Sequence, residues 1–180
     1  AFSEVQPGQV VLDLGSGAGI DLLLAAKKVG AEGKVIGVDM TDEMIAKAKE
    51  NIAAAGLTNA EVRKGIIEEL PVNDASVDWV ISNCVINLSP EKHRVFAEIA
   101  RVLKPGGTML VSDIVAEDLP AEMAGNRHLC SSCLAGAISE QAYIAGLQEA
   151  GLVEVEFIDR LVYDTAQIEM LIGSGLHAGD

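Results

Sequence analysis

Asp13-Leu14-Gly15-Ser16-Gly17-Ala18-Gly19 is the first run in this chain whose residue types can do chemistry. Glycines alternating with small residues let a backbone turn sharply and approach a ligand closely, and a helix start beyond them supplies free amides. Twenty-two residues past Gly17 stands Asp39, at the end of an apolar run. A carboxylate there can accept hydrogen bonds from both ribose hydroxyls of a nucleoside. Loop and carboxylate together describe an adenosine site. A nicotinamide dinucleotide fingerprint, Gly-x-Gly-x-x-Gly, requires glycine at position 20. Ile20 occupies it, and the third glycine falls early, at Gly19. A bare glycine turn and a dinucleotide loop are the competing readings.

The second candidate set is three thiols. Cys84 follows Asn83 at the end of an apolar stretch, and Cys130 and Cys133 lie in an irregular segment further on. Thiolate sulfur is soft and selects soft, polarizable centres. Each thiol also reads as a small buried hydrophobe. With His128, the three would make four zinc ligands, but no second paired motif supports that set. A redox Cys-x-x-Cys belongs at a helix start after an early strand, and Cys130-Ser131-Ser132-Cys133 comes late, on irregular chain.

The elements that must position these residues follow from patterning. Val10 to Leu14 reads as a buried strand, Ile20 to Val29 as a helix stopped near Gly30, and Lys34 to Asp39 as a second strand. Thr41 can cap a helix over Asp42 to Ala55 that Gly56 ends. Ala60 to Lys64 and Val77 to Ser82 follow as strands. Ser89-Pro90 marks a helix start whose buried face is Val95, Phe96, Ile99 and Val102; Glu91, Lys92 and Arg94 read as its charged face and His93 as solvent-facing. Lys104 to Gly107 reads as a turn, Thr108 to Ile114 as the fifth strand, Ser139 to Ala150 as a helix, and Val153 to Ile158 as a sixth strand. Trp79 is expected to pack in or beside the sheet. Strands alternating with helices of this length predict an α/β fold, a doubly wound, mostly parallel sheet with helices on both faces. The whole of residues 1–180 reads as a single domain, and 115–138 is an irregular segment on the substrate side of the crevice.

Composition narrows the partners. Of 180 residues, 49% are apolar and 22% charged, a globular balance. Thirteen basic residues against 27 acidic ones leave a net charge of −14. Such a surface repels phosphate backbones and anionic lipid, so neither nucleic acid nor a membrane is an expected partner. No stretch free of charged residues exceeds twelve, as from Trp79 to Pro90, whereas a spanning helix takes about twenty. An odd cysteine count without regular spacing points to the cytoplasm, where thiols stay reduced. Ala1 in place of Met suggests a processed or trimmed start with something upstream. No pattern specifies an oligomeric state.

An acidic residue followed by Gly-x-Gly-x-Gly resembles the first motif of the class I S-adenosylmethionine-dependent methyltransferases, whose fold is Rossmann-like. The segment Ser82-Asn83-Cys84-Val85-Ile86-Asn87-Leu88-Ser89-Pro90-Glu91-Lys92 closely resembles one branch of it, the arsenite methyltransferases. So does Cys133 to Ser139; the Lys34 to Met40 run ending Gly-Val-Asp-Met and Leu-Lys-Pro-Gly-Gly at 103 to 107 agree, and many methyltransferases share these two. The resemblance runs from about residue 5 to residue 160. It implies S-adenosylmethionine as cofactor, held by Asp13, Gly15, Ser16, Gly17, Gly19, Asp39 and Met40. Ile67 and Glu68 would lie beside the adenine and Asn83 at the reactive end; Glu68 with Glu69 reads equally as a solvated acidic loop.

The resemblance also implies that Cys84 and Cys133 hold trivalent arsenic, with Cys130, outside the shared pattern, a helper thiol or a spectator. Arsenite would be the substrate, a thiol reductant the partner, and arsenic detoxification the role. Attack by an arsenic lone pair needs no general base, and no His or carboxylate pair is evidently placed as one. Thiols must lose protons to bind, so activity should fall with falling pH. Family members carry an N-terminal extension with a further cysteine and a longer C-terminal region than this chain. Two other functions fit the same residues: methylation of a small organic molecule, or metalloid binding without catalysis.

Overall fold

The computed structural model describes residues 4–117 and 136–162. Along them run β1 (Val10–Leu14), α1 (Ile20–Val29), β2 (Lys34–Asp39), α2 (Asp42–Ala54), β3 (Ala60–Lys64), β4 (Val77–Asn83), α3 (Lys92–Val102), β5 (Leu103–Ser112) and α4 (Glu140–Glu149), with a 3₁₀ turn at Ile86–Leu88. The strands form one parallel sheet in the order β3-β2-β1-β4-β5. Chain direction across the sheet reverses between β1 and β4, which opens a crevice beyond their carboxyl ends.

Side chains alternate between the two faces. Leu12 and Leu14 of β1, with Ile36, Val38, Val77 and Val80, pack against Val95, Phe96, Ile99, Tyr143 and Leu147 of α3 and α4. On the other face Val11, Val35, Trp79 and Ile81 meet Leu22, Ala25, Ala26 and Val29 of α1 and Ile52 of α2. Helices therefore cover both faces, as the βαβ pattern requires. Full burial of each such side chain is worth roughly 1.5–3 kcal/mol. Two helices end alike: in Ala55-Gly56-Leu57 and Ala150-Gly151-Leu152 the glycine and leucine amides return to the last helical turn, Leu57 to Ile52 O and Leu152 to Leu147 O.

Phe96 and Tyr143 join α3 to α4, their rings 5.2 Å apart and tilted by 60°. A methyl at Gly146 would stand 2.6 Å from the Phe96 ring, which is itself buried. Alanine gains about 1 kcal/mol of helix propensity over glycine, and overpacking costs about 1–3 kcal/mol. Gly146→Ala is therefore expected to lower the thermal midpoint by several degrees. A rise in that midpoint would show that the two helices are not packed this tightly.

Three expectations change. Val153 to Ile158 is not a strand: Glu154 turns into the left-handed region at φ 55°, and Val153 and Ile158 are 80% and 78% exposed. Alternation alone mimicked a strand where, among the described residues, no neighbour takes up the backbone. Helix α3 starts at Lys92 rather than Pro90; Ser89 is buried, and its hydroxyl donates to Glu68 while accepting the Glu91 amide at 3.1 Å. The Lys104–Gly107 turn interrupts β5 itself, since Leu103 pairs with Val77 and Thr108 already with Trp79. Of the irregular segment 115–138, residues 118–135 lie outside the described residues, and Cys130, Cys133 and His128 with them.

Candidate functional site

Strand register sets the site's first layer. Leu14 is level with Val38 on one side and Ser82 on the other, so Gly15, Asp39 and Asn83 all follow at one edge of the sheet. Gly15, Gly17 and Gly19 all have positive φ, at 62°, 51° and 86°. The turn is tied by Ser16 N–H to Val38 O at 3.1 Å and Gly19 N–H to Ser16 O at 2.8 Å. The Asp39 carboxylate fastens it from the side. One oxygen accepts from Gly17 N at 2.9 Å and the other from Thr41 N at 2.8 Å. Thr41 precedes α2 as expected, but its side chain makes no capping bond. Asn51 of α2 donates to Ala18 O at 2.9 Å, a support the sequence did not signal.

Asp13 lies beneath this loop, 3% exposed, with Oδ2 lacking a hydrogen-bond partner. Burial first, then the charges of Asp21 and Asp39, push its carboxyl up to about 8. Ser16 Oγ is also buried and unpartnered. A Cβ at Gly17 would meet nothing within 4 Å, so the loop's outer side is open. The Asp21 and Asp39 carboxylates beside an open glycine loop suit a cationic ligand and oppose a pyrophosphate.

The thiol segment touches this loop directly. A Cβ at Gly15 would fall within 2.7 Å of Val85 side-chain carbons, so only glycine admits the Cys84–Val85 turn here. Cys84 is half-buried, and its φ of 57° is left-handed, which costs a non-glycine residue about 1–2 kcal/mol. Its amide donates to Ser112 O at 2.8 Å. Strained backbone at a cleft mouth persists only where surroundings hold it.

What holds it was not legible in the sequence. Asn87, 3% exposed, donates through Nδ2 to Ile114 O at 2.6 Å. Lys92, expected on a charged face, is half-buried, with Nζ on Asn87 O at 3.3 Å and Ser89 O at 3.0 Å. Burial lowers its affinity for a proton, and Asp113 opposes that. Glu91 and Arg94 are exposed and paired with each other, and His93 is exposed, as read. Asp113 just past β5 is raised to about 6 by burial, against hydrogen bonds from the Ile114 and Asn87 amides and Tyr143. Tyr143 OH lies 3.4 Å from Asp113 Oδ2. Burial, the Asp113 charge and then Cys84 hold that hydroxyl well above its ordinary pKa.

The other expected residues surround the same edge. Met40 is 69% exposed beside Asp39. Ile67 is buried, and Glu68 is half-buried, accepting a hydrogen bond from the Ser89 hydroxyl of the thiol segment. The loop carrying both is anchored by Glu98 to Leu70 N and by Arg101 to Leu70 O and Val72 O. Asn83 is exposed at the end of β4. The structure thus brings Asp13, the glycine loop, Asp39 and Cys84 together. Among the described residues no helix is long and apolar enough to cross a membrane, and no cluster of three or more His, Cys, Asp or Glu side chains could hold a metal ion.

A parallel sheet in this order, with a glycine loop and strand-end carboxylate at its switch point, is the α/β fold of class I methyltransferases. The model of a methyltransferase domain matches residues 6–151, and the chain belongs to that family. It is 52% identical over 157 residues to an arsenite methyltransferase of Halobacterium salinarum, covering 87% of this chain and 40% of that protein. It is 45% identical over 139 residues to one from Aquipseudomonas alcaligenes, covering 73% of this chain and 40% of the relative. The arsenic(III) S-adenosylmethionine methyltransferase of Chlamydomonas reinhardtii superposes with a TM-score of 0.79 at 39% identity, over 93% of this chain and 60% of that one. The chain thus spans about two fifths of the length of these curated relatives.

Proposed function

We propose that this domain transfers a methyl group from S-adenosylmethionine to trivalent arsenic held by cysteine thiolates. The observation that carries the reading is the contact of Val85 with Gly15, which sets the Cys84 turn against the cofactor loop. Asp39, with Gly15, Ser16, Gly17 and Gly19, would hold the nucleoside end, and Met40, Ile67, Glu68 and Asn83 would border it. The unpartnered Asp13 Oδ2 and Ser16 Oγ and the open side of Gly17 fit a bound cation. When bound, S-adenosylmethionine supplies a methyl group on a positively charged sulfur, which leaves as a neutral thioether.

Cys84 and Cys133 would take arsenite by exchange. Each arsenic–hydroxide bond is replaced by an arsenic–sulfur bond, and each thiol proton departs with the hydroxide as water. The arsenic would keep its lone pair free to accept the methyl group, so the thiols would position an acceptor from which no residue need remove a proton. Holding two reactants in line can lower a barrier by about 7–11 kcal/mol in ideal cases. A soluble thiol reductant of the cytoplasm would keep the cysteines reduced.

Native mass spectrometry of the chain with arsenite, beside Cys84→Ser, tests the reading. One bound arsenic with loss of thiol protons in the parent, and at least tenfold weaker uptake in the variant, is the expected result. Equal uptake by both proteins, or none by either, removes Cys84 from the mechanism and leaves an organic acceptor.

A further inference from the structure

Two hydrogen bonds staple the thiol turn to the exit of β5, on either side of Asp113. Cys84 N–H bonds Ser112 O at 2.8 Å, and Asn87 Nδ2 bonds Ile114 O at 2.6 Å. Between them the Asn87 amide faces the Asp113 carboxylate and favours its ionised form. That carboxylate also accepts Ile114 N–H at 3.1 Å and faces the Tyr143 hydroxyl of α4 at 3.4 Å. From α3, Lys92 faces it electrostatically while binding the Asn87 carbonyl. Gly136 closes the remaining side: a Cβ there would overlap Asn87 O. Four elements thus converge on one turn whose leading residue is backbone-strained.

We propose that Asp113, backed by Tyr143, is a positioning residue for Cys84, clamping the 84–87 turn so that the thiol is presented to its acceptor in one fixed direction. A left-handed cysteine relaxes toward ordinary backbone conformations unless its flanks are tied. The clamp supplies those ties through Asn87 and Ile114. The Tyr143 hydroxyl of α4 faces both the Asp113 carboxylate and Cys84, and so links the carboxylate to the thiol electrostatically. Loss of the clamp leaves the thiol in place chemically but spreads its direction, which weakens capture of an acceptor that must meet a second sulfur at the same time. The acceptor's identity as arsenic rests on the function proposed above; the clamp on Cys84 does not.

The test compares Asp113→Asn and Tyr143→Phe with the parent and with Glu50→Gln, a surface control in an exposed ion pair. Two readouts are taken on the full-length protein: arsenite affinity, and the pH profile of Cys84 alkylation by iodoacetamide, followed by peptide mass mapping. Asp113→Asn is expected to weaken arsenite binding at least tenfold and to move the alkylation midpoint to lower pH, since the carboxylate behind the Tyr143 hydroxyl that faces Cys84 loses its charge. Tyr143→Phe should weaken binding about threefold or more, and it carries the test if the asparagine variant does not fold. Affinity and midpoint both within twofold of the parent in these variants would overturn the proposal, even if the melting temperature drops. A parent that binds no arsenite but shows an Asp113-dependent alkylation profile upholds the clamp and rejects arsenic as the acceptor.

Discussion

Replacing Cys84 by glycine is expected to abolish arsenite capture, by a thousandfold or more in turnover, while leaving the domain more stable than Cys84→Ala by about 1 kcal/mol. The order is unusual, because alanine normally exceeds glycine on backbone entropy by about 0.5–1 kcal/mol. It reverses here because Cys84 sits at φ 57° and any Cβ keeps the strain. Both substitutions remove the sulfur, so both lose the ligand. Urea unfolding of the two variants, with arsenite uptake measured on the same samples, separates the effects. If the alanine variant is the more stable, the turn is not strained. If either variant still captures arsenite with parental affinity, Cys84 is not the ligand.

The second large effect concerns pH. Burial, and then the charges of Asp21 and Asp39, raise the Asp13 carboxyl from 3.8 to about 8 in the folded chain. Between about pH 4 and pH 8 the native state therefore keeps a proton that the unfolded chain has released. Stability falls as pH rises through that window, and the full cost is present above pH 8. A shift of about four pK units corresponds to on the order of 5 kcal/mol. Asp13→Asn should match the parent near pH 4 and exceed it increasingly up to pH 8.

Asp113, raised to about 6, acts with the same sign over the narrower window from pH 4 to 6. Glu98, lowered by its Arg101 hydrogen bonds, acts oppositely: its contribution is lost as pH falls. Both are common to parent and variant, so the difference between their urea midpoints isolates Asp13. Parallel curves would mean that the carboxyl ionises normally. A cation settling above the loop favours the ionised form of this carboxyl. S-adenosylmethionine affinity should accordingly rise from pH 6 to pH 8 in the parent and stay flat in Asp13→Asn.

Local signals were sufficient where the chain's own neighbours decide the conformation. Buried parallel strands read as largely apolar runs, and β1 and β2 begin and end as their runs predict; β3, half-exposed with Glu61, Arg63 and Lys64, carries the weaker signal. Helix ends marked by glycine or capped by serine were legible for the same reason: Ser139 accepts the Ala142 amide at 3.1 Å. Patterning misled where a distant partner decides. Ser89 had the chemistry of a cap and accepts the Glu91 amide, but its hydroxyl also donates to Glu68, and the regular helix starts only at Lys92. Lys92 had the spacing of a surface charge, yet its ammonium reaches back to two carbonyls of the thiol segment. Val153 to Ile158 alternated like a strand, yet among the described residues no edge pairs with it.

The sequence by itself determined the fold class, the glycine loop with its carboxylate, and the thiol expected at the crevice mouth. These depend on residue types at fixed spacing along the chain. Only the tertiary structure decided how the parts meet. It laid Val85 on Gly15, buried Asp13 among like charges, and assembled Asn87, Lys92, Asp113 and Tyr143 around Cys84. Those residues lie on four separate elements, and hydrogen bonds and desolvation act through space. Their chemistry exists only once the sheet has brought its strand ends to one edge.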